Sequence, residues 1–92
     1  MDQPTLPHCV ELPRTFTADY LDRSPLEMED GVTHFRVVKE TKRTITLEMS
    51  TKGRDDLLDD ALFYADALGM NKDVWRVLGP SARAVVRRLK PR

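Results

Sequence analysis

The clearest alternation of apolar and polar positions lies in the middle of the chain. In Thr44-Ile45-Thr46-Leu47-Glu48-Met49, the residues Ile45, Leu47 and Met49 take every second place. Side chains of an extended strand point alternately to its two faces, so this pattern predicts a strand with one buried face. His34 to Lys39 repeats it more weakly, with Phe35 and Val37 on one face. The polar link Glu40 to Arg43 is short enough for an antiparallel hairpin, although it lacks the Asn-Gly or Asp-Gly pair of the tightest turns. Earlier in the chain, Val10 to Pro13 reads as a short extended piece, because Leu12 precedes a proline and is pushed away from helical backbone.

After the hairpin the period becomes helical. Leu57, Leu58, Ala61, Leu62, Ala65 and Leu68 share one stripe, and Asp55, Asp59, Asp60 and Asp66 lie off it. The spacing predicts a helix with Asp55, Asp56, Asp59 and Asp60 in its first turns, where the dipole favours acids. Gly69 is placed to end it. Val74, Trp75, Val77 and Leu78 then form a short apolar segment closed by Gly79, and Pro80 suits the first turn of a separate last helix. Ala82, Val85, Val86 and Leu89 are its inner side, with Arg83, Arg87, Arg88 and Lys90 mainly outside. Near the start, Thr15 or Thr17 is placed to cap a short helix with Phe16, Tyr20 and Leu21 buried, ending before Pro25. Residues 24–33 read as a loop, and residues 1–9, with Pro4 and Pro7, as a flexible arm.

The expectation is one α+β domain over residues 10–92. In it an antiparallel β-hairpin, or a small three-stranded sheet, packs on two or three helices. Trp75, Phe35, Phe63, Leu47 and Leu62 are the expected core. A chain of 92 residues builds one modest core and not two. So small a sheet leaves an open edge, which predicts a homodimer through edge pairing.

Charge changes this picture. The formal net charge is zero, yet residues 1–33 carry −5, residues 34–54 carry +4, residues 55–75 carry −5 and residues 76–92 carry +6. Such blocks make either a polarised surface or internal ion pairs. Cys9 is the single cysteine, so no intrachain disulfide forms. The chain does not open with a secretory pattern, and no stretch approaches the ~18 apolar residues of a membrane span. The cytoplasm, away from any membrane, is the expected location.

Four blocks carry a family resemblance: Val10 to Arg14, Val37 to Thr44, Asp56 to Asp66 and Ser81 to Val86. They resemble successive blocks of small proteins of actinobacteria and their phages, over most of the chain from Val10 to Leu89. That family carries no assigned activity, so the resemblance transfers no functional residue. It implies a phage-type accessory protein that acts by binding.

The residues themselves offer little for catalysis. Asp55 with Asp59, and Asp56 with Asp60, stand one helical turn apart, a spacing that can hold Mg²⁺ through water. A solvated acidic helix face explains the run as well, and the like-charge pairs favour a basic partner. His8 beside Cys9, with His34 elsewhere, falls short of the four ligands of a structural zinc site. Cys9 lacks an evident base and orienting group, and there is no phosphate-binding glycine loop or dinucleotide fingerprint. A non-enzymatic domain without a cofactor is the expectation. The basic C-terminus, Arg76, Arg83, Arg87, Arg88, Lys90 and Arg92, with Lys42 and Arg43 of the hairpin link, is the candidate binding surface. A protein partner is the first expectation. Nucleic acid, held along the phosphates, is the alternative. A third account is internal neutralisation of the acidic helix.

Overall fold

The structure, a computed structural model, describes residues 5–23, 33–66 and 71–90. It is an α+β fold, with three strands and three helices among the described residues. In chain order they are β1 (His8–Pro13), α1 (Arg14–Arg23), β2 (Phe35–Glu40), β3 (Thr44–Met49), α2 (Thr51–Asp66) and α3 (Lys72–Leu89). The strands form one antiparallel sheet in the order β1-β3-β2.

The best-patterned strand is the central one. Ile45, Leu47 and Met49 of β3 are buried, and Thr44, Thr46 and Glu48 are half-buried on the outer face. In β1, Leu12 lies opposite Ile45 and Val10 opposite Leu47. In β2, Phe35 lies opposite Met49 and Val37 opposite Leu47. The register then slips between Val37 and Lys39, leaving Val38 as a bulge in an exposed edge. The strand starts at His8, so the expected arm is shorter than residues 1–9. His8 is held opposite Met49, and its Nε2 lies 3.2 Å from Thr51 Oγ1. Of the expected loop at 24–33, residues 24–32 lie outside the described residues, as does the helix end at Gly69, and Thr33 forms an isolated bridge.

The helices pack on the sheet face that carries Ile45, Leu47 and Met49, and they close one core. α1 follows Pro13 directly, so neither Thr15 nor Thr17 caps it. Its first turn is anchored by tertiary contacts. Arg14 donates its backbone N–H to the Arg43 carbonyl at 2.8 Å, and Phe16 donates its own to Ser81 Oγ of α3 at 2.9 Å. Ser50 caps α2, its Oγ accepting the Gly53 N–H at 3.0 Å while lying 2.6 Å from His34 Nδ1. α2 therefore begins earlier than expected. The aspartates stand beyond its first turn, where the dipole no longer accounts for them.

The last two expected segments are one helix. α3 runs unbroken from Lys72 to Leu89 with Pro80 inside, opened by Asn71, whose side chain accepts the Asp73 N–H at 2.8 Å. Leu78, Ala82, Val85 and Leu89 are all buried, and that stripe continues across the proline. Its burial outweighs the roughly 3 kcal/mol a proline costs within a helix.

The expected core is corrected in the same way. Phe35 and Leu47 are buried, but Trp75 is half-buried, Leu62 is 36% exposed and Phe63 is 59% exposed. The inward residues of α2 are Gly53, Leu57 and Ala61. At roughly 100° per residue, Phe63 turns well away from Leu57. The aromatic centre of the core is instead Phe16, Tyr20, Phe35 and Tyr64, with ring centroids 5.5–6.3 Å apart in successive pairs.

Candidate binding surface

Three basic side chains converge where the hairpin turn meets the end of α3. Arg43 closes the turn, which Thr41 holds in shape: its Oγ1 accepts the N–H groups of Arg43 at 3.2 Å and Thr44 at 3.0 Å. The Arg14 guanidinium donates to the Thr41 carbonyl at 2.8 Å from the other side. Arg87 and Arg88 occupy the last turn of α3, where cations complement the helix dipole. That turn is fixed in place by Arg54 of α2, which donates to the Leu89 carbonyl. Between Arg43, Arg87 and Arg88 lies a groove of about 380 Å³, floored by Leu12, Pro13 and Ala84. Glu11 and Thr44 flank it, the Thr44 hydroxyl 3.4 Å from a Glu11 carboxylate oxygen. Among the described residues, none of the three arginines is paired with an acid.

The remaining basic candidates stand apart from this groove. Lys42 is exposed in the turn and Lys90 is exposed beyond α3. Arg76 sits toward the other end of α3, 3.7 Å from Asp73. Arg83 lies over the Trp75 ring, 5.3 Å from its centroid. Arg83 and Arg87 are exposed, while Ala82, Val85 and Leu89 face the core and Val86 is half-buried. Arg92 lies outside the described residues.

The four aspartates of the acidic run differ in partner and exposure. Asp60 accepts from Arg23 at 2.8 Å, Asp55 lies 3.7 Å from Arg54, Asp56 is half-buried and Asp59 is exposed. No group of three His, Cys, Asp or Glu side chains among the described residues is gathered as a ligand set. Arg23 is the true charge hub. It bridges Asp60 and Asp19, and its guanidinium lies over the rings of Tyr64 at 4.9 Å and Tyr20 at 6.0 Å. Burial works against its charge, but the hydrogen bonds to Asp60 and Asp19 outweigh that, and its pKa is raised.

Sequence reasoning missed Arg23, Arg54 and the groove floor. The Asp19–Arg23 spacing of four is the one local signal that could have found half of the Arg23 site. Nothing local signalled that Pro13, Arg43 and Ala84 would meet. No helix among the described residues is long and apolar enough to cross a membrane. No family model, curated protein or solved structure matches this chain.

Proposed function

We propose that this domain is a non-enzymatic protein-interaction module whose basic groove takes an acidic, partly apolar segment of a partner protein. The observation that carries this reading is the convergence over an apolar floor of three guanidinium groups that, among the described residues, form no salt bridge, with Glu11 at the flank. Guanidinium forks match carboxylates in two-bond geometry, and the half-buried Pro13 and Ala84, backed by the buried Leu12, offer an apolar floor for a side chain between them. A protein ligand fits better than nucleic acid. Among the described residues no aromatic side chain lines the groove to stack on bases, and the chain carries no net positive charge. A cytoplasmic, phage-type accessory role, implied by the sequence resemblance, belongs to the same proposal.

Fluorescence anisotropy with labelled acidic peptides containing aromatic residues tests it. Binding at low salt is expected, lost in the variant with Arg87→Glu and Arg88→Glu, with an unchanged melting temperature. Absence of binding at low ionic strength would refute the reading. Tighter binding to DNA, weakening steeply with salt, would replace it with the nucleic-acid alternative.

A further inference from the structure

The outer side of α2 carries a feature that complements the groove. Phe63 is 59% exposed, the largest apolar side chain so placed among the described residues. Asp59 and Asp66 are its neighbours one turn away on the helix surface, with Asp56 a further turn back. Among the described residues none of these three aspartates is paired with a base. The described residues thus hold an aromatic knob rimmed by free carboxylates, and an apolar-floored groove in which three free guanidiniums outnumber the single carboxylate of Glu11.

We propose that the segment taken by the groove is the Phe63 face of a second copy of this chain, so that the protein assembles head to tail. This rests on the groove reading above and names its partner. The size fits, because an engineered cavity of about 150 Å³ already holds benzene and this groove is about 380 Å³. The chemistry fits too: a phenyl ring seated between Arg87 and Arg88 gains cation–π contact, while Asp59 and Asp66 meet the guanidinium rim. Within one molecule the two features cannot meet. Arg54, near the start of α2, is bonded to Leu89 at the end of α3. Phe63 stands nine residues further along α2, about 13 Å at roughly 1.5 Å per residue. Knob and hole are different surfaces, so each copy offers a free hole after its knob is buried, and the contact propagates. The sheet edge competes poorly as an interface, since β2 carries the Val38 bulge and the exposed Lys39.

Sedimentation velocity at rising protein concentration and low salt tests this. The mass is expected to climb above the 10.6 kDa of one chain and to return to it on adding salt. Phe63→Ser, Asp59→Lys with Asp66→Lys, and Arg87→Glu with Arg88→Glu should each abolish assembly while leaving the circular dichroism spectrum unchanged. Mixing the two charge-reversed variants should restore it. A wild-type protein that stays monomeric, or a Phe63→Ser variant that still assembles, overturns the proposal. The labelled acidic peptide containing aromatic residues then separates the two readings. A monomer that binds it through Arg87 and Arg88 overturns only self-docking, and a monomer that does not bind it overturns the groove reading as well.

Discussion

Single side chains show where this domain is not optimised for stability. Thr17 is fully buried in α1, and among the described residues its hydroxyl has no hydrogen-bond partner. A buried hydroxyl that gives up water without a replacement costs free energy, so Thr17→Val is expected to raise stability by about 1 kcal/mol in urea denaturation. Gly79 shows the opposite constraint. A Cβ there would come within 2.5–2.7 Å of three atoms of the Trp75 indole, whose Nε1 is enclosed without a partner among the described residues. Gly79→Ala should therefore push the indole off the helix and away from Arg83. Trp75 is the single tryptophan, so a red shift of its emission reads this directly. An unshifted spectrum would show that the indole finds room without leaving. Arg23 ties α1 to α2 through Asp60 and the Tyr64 ring. More than a third of its side chain is exposed, so solvent screening limits Arg23→Ala to a loss of about 1 kcal/mol.

At the scale of elements, legibility followed the length over which a pattern repeats. β3 was plain from the sequence because three apolar residues alternate without interruption, and its central place in the sheet gives it partners on both sides. Leu47→Asp places a charge on the fully buried face and should unfold the domain or leave it molten. Thr46→Asp on the outer face should cost far less, and equal losses would contradict the register. α3 was misread where a local rule met a longer one. Gly79 and Pro80 signal a break, but the stripe Leu78, Ala82, Val85, Leu89 keeps its phase through them, and core packing decided the outcome. Pro80 is exposed and offers no N–H to the Arg76 carbonyl. Pro80→Ala should restore that bond and raise the melting temperature, offset in part by a more flexible unfolded chain. A lower melting temperature would mean that the proline sets a bend on which the packing depends.

On the whole-molecule scale, the sequence revealed the charge blocks but not their pairing, because partners in different blocks are chosen by tertiary packing. An acidic helix and a basic helix in a neutral chain invite mutual neutralisation. In the fold the acids of α2 turn elsewhere: Asp60 goes to Arg23 of α1, while Asp59 faces solvent. Arg83 stacks on Trp75 of its own helix, and Arg87 lines the groove. The groove was legible only as its basic rim, since its floor joins residues from β1 and α3 that no local pattern relates. This arrangement predicts that the two charged surfaces are energetically independent. Arg83→Glu with Arg87→Glu should shift stability only slightly, the stacked Arg83 accounting for most of the change. Asp59→Lys with Asp60→Lys should cost more, because it puts a cation at Arg23. Combined, the two double reversals should add to within about 0.5 kcal/mol in chemical denaturation of the dilute monomer. A rescue larger than that would reveal direct coupling between α2 and α3, and the free guanidiniums of the groove would then serve the fold instead of a partner.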